Sequence, residues 1–210
     1  MAEDLTFYTN PMSRGRIARW MLEETGAPYE TEVIAYGPPM KTPAYRAINP
    51  MGKVPAIVHG ETVVTETAAI CAYLADAFPE AGLAPELKNR GAYYHWLFFA
   101  AGPMEAAAVN KALDVTPPAE KEGMIGYGNY ALIGGALEKK LPTKGFLLGD
   151  RFTAADVYVG ANLGWGLQFG TIEPCDSFED YVKRVQDRDA YHRAMALDNA
   201  LMPKDDQTER

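Results

Sequence analysis

Asn49-Pro50-Met51-Gly52-Lys53-Val54-Pro55-Ala56-Ile57-Val58 is the most informative stretch of the 210-residue chain. Residues 54–59 have the apolar, β-branched character of a strand, centred on Ala56-Ile57-Val58. Pro55 stands at the strand's entrance, where it has no N–H to give to a ladder. A cis Val54–Pro55 bond would turn the chain sharply and leave the N–H and C=O of Val54 facing outward. An extended peptide can pair with such an edge as an added strand. The dipeptide alone favours an ordinary trans proline, because cis accounts for only about 5–6% of such bonds.

Just downstream, Gly60-Glu61 reads as a two-residue hairpin turn, with 62–64 as the returning strand. A helix is predicted over 67–78, with Ile70, Tyr73, Leu74 and Ala77 on one side and Pro79 closing it. Where hairpin meets helix, the sequence is Thr65-Glu66-Thr67-Ala68-Ala69-Ile70. The unpaired N–H groups and positive dipole end of a helix start suit an anion. Thr67 adds a hydroxyl and Glu66 a carboxylate for an ammonium group, so both ends of an amino-acid zwitterion fit. The plainer alternative is a capped helix with an exposed glutamate.

Upstream, Leu5–Thr9 reads as a strand with Leu5 and Phe7 on one face, broken by Asn10-Pro11-Met12. Ser13 is a good helix N-cap. Ile17, Ala18, Met21 and Leu22 follow at helical spacing, and Gly26 and Pro28 end the helix. Residues 29–35 are strand-like, and the right-handed crossover rule makes this strand parallel to the first. The Ser13 hydroxyl either faces a ligand at the helix start or only caps its own helix. Arg14 and Arg16 read as solvated or paired with local acids. The Pro-rich connection 37–50 has room for one short helix around 44–47.

Pro79, Gly82 and Pro85 mark 80–87 as a linker. Beyond it, strand signals largely vanish. Helical patterns cover 89–113, 120–141, a segment opening at Thr153-Ala-Ala-Asp156, 178–188 and 190–201, with a polar tail from 203 on. The aromatic stripe of the first, including Tyr94, Phe98 and Phe99, reads as core. A mixed α/β half followed by a helical half predicts two domains, 1–80 and 89–210.

Twenty Lys and Arg against 28 Asp and Glu give a net charge of −8, which disfavours general nucleic-acid binding and docking on anionic membranes. No apolar run approaches the roughly 20 residues a bilayer needs. The acidic residues 1–4 lack the layout of a signal peptide, so a cytoplasmic protein is expected. Its two cysteines, Cys71 and Cys175, make neither a Cys-x-x-Cys pair nor a zinc site, and they read as free thiols. No metal is expected.

Taken together, these stretches resemble the cytosolic glutathione transferases, most closely bacterial and fungal members through the Ser-Arg-x-Arg opening. The likeness spans nearly the whole chain and includes Gly149-Asp150-Arg151-Phe152-Thr153-Ala154-Ala155-Asp156. That segment looks like the family's folding motif, in which Thr153 and Asp156 suit a reciprocal capping box. The resemblance implies a thioredoxin-like α/β domain followed by an all-α domain. It implies glutathione as co-substrate, a small hydrophobic electrophile held between the Met12 loop and the first helix of the second domain, and a homodimer. Val54 would pair with the cysteinyl backbone behind a cis Pro55. Glu66 and Thr67 would hold the γ-glutamyl end, and Lys53 and Lys41 the glycine carboxylate. Ser13 would donate a hydrogen bond to the sulfur; members differ here, and Tyr8, Asn10, Met12 or backbone alone remain alternatives. Glutathione-dependent isomerisation, peroxide reduction or dehalogenation could use the same site, and a non-catalytic binding protein the same fold. A thiol-disulfide reductase is disfavoured, because no cysteine occupies residues 8–13.

Overall fold

The computed structural model describes residues 4–203; the acidic start 1–3 and the tail 204–210 lie outside the described residues. In chain order the elements are β1 (Leu5–Thr9), α1 (Gly15–Thr25), β2 (Glu30–Val33), α2 (Pro43–Ile48), β3 (Ala56–His59), β4 (Thr62–Thr65) and α3 (Thr67–Ala77). Then come α4 (Gly91–Phe99), α5 (Glu105–Ala112), α6 (Tyr130–Lys140), α7 (Ala154–Gln168), α8 (Asp176–Gln186) and α9 (Asp189–Ala200).

The four strands form one sheet in the order β2-β1-β3-β4. β1 and β2 are parallel, as the crossover rule requires, whereas β3 is antiparallel to both β1 and β4. Phe7 stands opposite Thr31 on one side and Ile57 on the other. Phe7, Ile57, Ile17, Trp20, Leu22, Ile70 and Leu74 are fully buried. α1 ends where expected: Gly26 takes φ +67° and its N–H returns to the Leu22 carbonyl at 3.2 Å. This arrangement and its likeness to solved structures, given below, fit the thioredoxin-like reading of the first half.

The chain divides into two compact units, Met1–Leu83 with Arg188–Arg210, and Ala84–Asp187. This differs from the bounds expected from sequence, because α9 belongs with the first unit. Two buried charges hold it there. Arg19 Nε on α1 donates to Asp198 Oδ1 on α9 at 2.7 Å, and both side chains are almost wholly shielded from solvent. The same guanidinium donates to Tyr29 and Thr31 on or beside β2 and lies 5.1 Å from the Phe7 ring centre. Burial pushes the Asp198 carboxyl up, while the charges of Arg19 and Arg16 oppose that shift. Arg188 adds a bidentate pair to Glu24, both contacts at 2.7 Å.

The second unit is helical. The expected helix over 89–113 is α4 and α5, joined by a π-helical turn, Ala100–Met104, that contains Pro103. A proline inside a helix cannot donate to the preceding turn, and a one-turn register change accommodates it. Only part of the expected 120–141 helix forms. A short 3-10 turn, Ala119–Met124, is followed by Gly128 at φ +65°, and Asn129 then caps α6 by accepting from the Leu132 N–H at 3.0 Å. Tyr93, Trp96 and Leu97 are the buried residues of α4. Tyr94 and Phe98 are exposed, at 41% and 72%, contrary to the core reading of the aromatic stripe.

The start of α7 is the polar centre of this unit. Asp156 is fully buried and accepts from the N–H of Thr153 (3.0 Å), the Thr153 hydroxyl (3.0 Å), the Leu147 N–H (2.8 Å) and the Tyr181 hydroxyl (3.0 Å). The bond from the Thr153 N–H to Asp156 and the return from the Asp156 N–H to the Thr153 side chain make the reciprocal capping box expected from the sequence. Burial pushes the carboxyl pKa up, against the opposing pull of these hydrogen bonds. Among the described residues, no helix is long and apolar enough to cross a membrane.

Candidate functional site

Three loops converge at one end of the sheet, and pairing register brings them there. Tyr8 stands opposite Ala56, so the chain leaving β1 at Asn10 runs beside the chain entering β3 at Val54. Ala56 stands opposite Thr65, so Val54 and Pro55 also lie beside Glu66 and Thr67. All the proposed site residues except Lys41 fall on these loops. Lys41 reaches the 51–53 turn from the segment before α2.

Asn10 shapes the first loop. Its amide donates to the Ile34 carbonyl (3.0 Å), its side-chain oxygen accepts from the Met12 N–H (3.0 Å), and its own carbonyl accepts from the Ser13 N–H (3.0 Å). The Ser13 hydroxyl donates to that same carbonyl at 2.7 Å and accepts from the Gly15 N–H at 2.9 Å. Arg14 rather than Ser13 holds the N-cap position of α1; Ser13, one residue earlier, accepts from the first N–H of the helix while its proton rests on Asn10. Gly15 is required here: a Cβ at this position would meet the Thr9 hydroxyl and stand 2.9 Å from Ser13 Oγ. Tyr36 was not singled out from the sequence. It leans back over this loop, and its hydroxyl donates to the Met12 carbonyl at 3.0 Å.

The second loop is held by backbone capture. The Lys53 carbonyl accepts from the Tyr45 hydroxyl at 2.7 Å and from the Asn49 amide at 2.8 Å. Lys41 donates its ammonium to the carbonyls of Met51 (3.2 Å) and Gly52 (2.8 Å). Gly52 takes φ +59°, and a Cβ there would stand 2.5 Å from the Met40 carbonyl oxygen. These fixings leave Val54 just outside β3, with a cis bond to Pro55, and among the described residues no turn, loop or cap backbone hydrogen bond uses Val54. Lys53 is exposed. Burial and the neighbouring Tyr8 push the Tyr45 phenol up to about 12, so it stays a donor at neutral pH.

The third loop carries the strained residue. Glu66, the N-cap of α3, takes φ +68° and ψ +120°, with no side-chain cap bond. A non-glycine residue at positive φ costs on the order of 1–2 kcal/mol and tends to sit where function needs it. Its side chain is exposed, and Thr67 beside it is buried. The first N–H groups of α3 face this corner with the dipole's positive end. Cys71, one turn further on, is fully buried and its thiol is pushed up by that burial, which suits packing rather than nucleophilic chemistry. Among the described residues, no cluster of three or more His, Cys, Asp or Glu has metal-site geometry.

Residues 12–77 match the family model described as glutathione S-transferase, N-terminal domain, and residues 127–186 match the corresponding C-terminal domain. Maleylacetoacetate isomerase of Pseudomonas aeruginosa is 30% identical over 200 residues, spanning 90% of this chain and 91% of that protein. Among solved structures, a glutathione transferase from Methylococcus capsulatus str. Bath superposes with a TM-score of 0.74 at 26% identity, covering 93% of this chain and 99% of that one. A sphingomonad glutathione S-transferase complexed with glutathione superposes at 0.72, with 26% identity over 92% of this chain and 98% of that one.

Proposed function

We propose, for a chain that belongs to the glutathione S-transferase family of enzymes, that glutathione binds across the three converging loops and attacks a small apolar electrophile as its thiolate. The observation that carries this reading is the juxtaposition of the unused Val54 backbone edge with the strained, open start of α3. Val54 would pair with the cysteinyl backbone, and Pro55 would set the angle of that edge. The γ-glutamyl carboxylate would accept from the α3 N–H groups and the Thr67 hydroxyl, with its ammonium on Glu66. Lys53 would meet the glycine carboxylate. Lys41, already engaged with two carbonyls, would act mainly by holding the loop.

Ser13 is the proposed sulfur contact. A thiol of pKa about 8.5 needs roughly 1.4 kcal/mol for each unit of depression. A hydrogen bond to a charged group supplies about 1.5–3 kcal/mol, and the α1 dipole about 0.3–1 more. That is enough to populate the thiolate near pH 7, provided Ser13 turns its proton from Asn10 to the sulfur. The sulfur would then form its bond to the electrophilic carbon as the leaving group departs with its electron pair.

A second reading has its own support. The Pseudomonas aeruginosa relative described above is named a maleylacetoacetate isomerase, and a glutathione-dependent isomerisation would use the same site without net conjugation. The remaining proposals are a homodimer, a cytoplasmic location and a detoxifying role. Light scattering that returned one chain's mass would remove the dimer.

Calorimetric binding of glutathione followed by turnover assays tests the proposal. Conjugation of a chloronitroarene supports the transferase reading. Isomerisation of maleylacetoacetate without conjugation favours the second. Absence of binding at millimolar glutathione overturns both.

A further inference from the structure

We infer that Arg16 is a positioning residue for the loop that carries Ser13, and that through it helix α9 sets how the Ser13 hydroxyl is presented to the glutathione sulfur. The inference rests on the glutathione reading above and deepens it.

The loop consists of two peptide planes, and each is held at both ends. The plane between Pro11 and Met12 gives its N–H to the Asn10 side-chain oxygen at 3.0 Å, and its carbonyl accepts from Arg16 Nη1 at 3.1 Å. The plane between Met12 and Ser13 gives its N–H to the Asn10 carbonyl at 3.0 Å, and its carbonyl accepts from the Tyr36 hydroxyl at 3.0 Å. A planar peptide gripped at one end can still swing about the bonds that flank it; gripped at both, it fixes the direction in which the next side chain leaves the backbone. Here that side chain is Ser13. Asn10 takes both N–H groups, so the two carbonyls are where other elements grip the loop.

The grip on Pro11 leads to α9. Arg16 reads from the sequence as solvated or paired with local acids, but its guanidinium spans from the loop to the far end of the chain. Its second terminal nitrogen, Nη2, donates to Asn199 Oδ1 at 2.6 Å and lies 3.6 Å from the Met195 sulfur. Met195 and Asn199 are four residues apart on α9 and share one face of it. That face is held in place, because Arg19, three residues along α1 from Arg16, is locked to Asp198 at 2.7 Å. Two arginines of α1 thus meet consecutive residues of α9, and the first of them continues to the Pro11 carbonyl. A planar guanidinium fork serves two acceptors in one fixed geometry, whereas a lysine ammonium is a point charge on a flexible stem. Without Asn199 the fork is free to swing, and the Pro11–Met12 plane loses its carbonyl anchor. Ser13 then donates less well to the thiolate, while the contacts proposed for the two ends of glutathione lie on other loops.

The test is Asn199→Ala in the full-length protein, read by the pH dependence of kcat/KM with glutathione and a chloronitroarene and by calorimetric glutathione affinity at pH 6. Asn199 is exposed and lies outside the three converging loops, so the substitution should leave the melting temperature unchanged. The expected result is an upward move of the apparent thiol pKa by about half a unit, which lowers kcat/KM about threefold below that pKa, with affinity at pH 6 changed by less than about twofold. Arg16→Lys, which keeps the charge and loses the fork, should shift the profile at least as far, and Asn199→Ala should add little in that background. Asn199→Asp keeps the acceptor and should restore the wild-type profile. An unshifted profile in Asn199→Ala or in Arg16→Lys, with or without a lower melting temperature, overturns the inference and leaves the glutathione reading standing. So does an Asn199→Asp profile shifted as far as that of Asn199→Ala. Should Asn199→Ala not fold, Arg16→Lys and Asn199→Asp decide by the same outcomes. Wild type that neither binds nor turns over glutathione overturns the underlying reading instead.

Discussion

At the start of α7 a buried carboxylate accepts four hydrogen bonds, and every partner comes from within the second unit: Thr153 twice, Leu147 and Tyr181. At the start of α3 the residue in the capping position is an exposed glutamate at φ +68° whose side chain caps nothing. Both ends present the same positive dipole and unpaired N–H groups. One end is capped reciprocally and built around a carboxylate whose partners all come from its own unit; the other has no side-chain cap and carries backbone strain. A helix start capped by its own chain and packed around a buried carboxylate is a stability device. One left open in a strained loop beside an unused strand edge is suited to a ligand.

The contrast breaks most readily at Asp156. Replacing it with Ala leaves the hydroxyls of Tyr181 and Thr153 and two N–H groups without their acceptor, and the expected loss is about 4 kcal/mol or more in denaturant unfolding. A loss under about 1 kcal/mol would mean that α7 is not closed in the sense argued here.

Glu66→Gly is expected to act in the opposite sense. Glycine accepts positive φ without penalty, so stability should hold or rise by up to about 1 kcal/mol. Glutathione affinity should fall about tenfold, or roughly 1.4 kcal/mol, by calorimetry. A destabilised variant with unchanged affinity would show that the strain serves folding. Thr67→Val should weaken glutathione binding about fivefold, near 1 kcal/mol, with little change in melting temperature.

The smallest effect is a pH slope. Burial raises the Asp156 pKa above its ordinary 3.8, so the folded state holds that proton more tightly than the unfolded chain. The carboxyl's favourable contribution is therefore complete below the unfolded pKa and declines as pH rises from about 3.8 through the folded value. Unfolding of wild type and Asp156→Asn at pH 3 and pH 6 checks this. The stability difference, wild type minus variant, should be larger at pH 3.

The same contrast explains which parts could be read from the sequence. Features contained in a few consecutive residues are legible: the Thr153 and Asp156 cap, the Gly26 stop, and the Gly60 hairpin whose strand pairing sets residues 54–55 beside 66–67; the cis bond at Pro55 is not legible from the dipeptide. What needs partners distant in sequence is not. Tyr181 reaches Asp156 across 25 residues, and Tyr36 reaches Met12 across 24. Arg19 and Asp198, 179 residues apart, draw α9 into the first unit, and neither charge looks buried from its neighbours in the chain. Asn10 is a partial case. An Asn-Pro pair after a strand signals an Asx turn, but its capture of the Ile34 carbonyl depends on the parallel pairing of β1 and β2. The helical pattern over 89–113 matches α4 and α5 in extent, yet the register change at Pro103 follows from how the helix continues past the proline.

The central claim is that the open corner at Glu66 and Thr67 reads the γ-glutamyl end of glutathione. Calorimetric titration of the wild-type protein with glutathione and, side by side, with cysteinylglycine tests it most directly. The account predicts binding of glutathione below millimolar concentration and at least tenfold weaker binding of the dipeptide that lacks the γ-glutamyl group. Equal affinities, or no heat from glutathione at all, would contradict it.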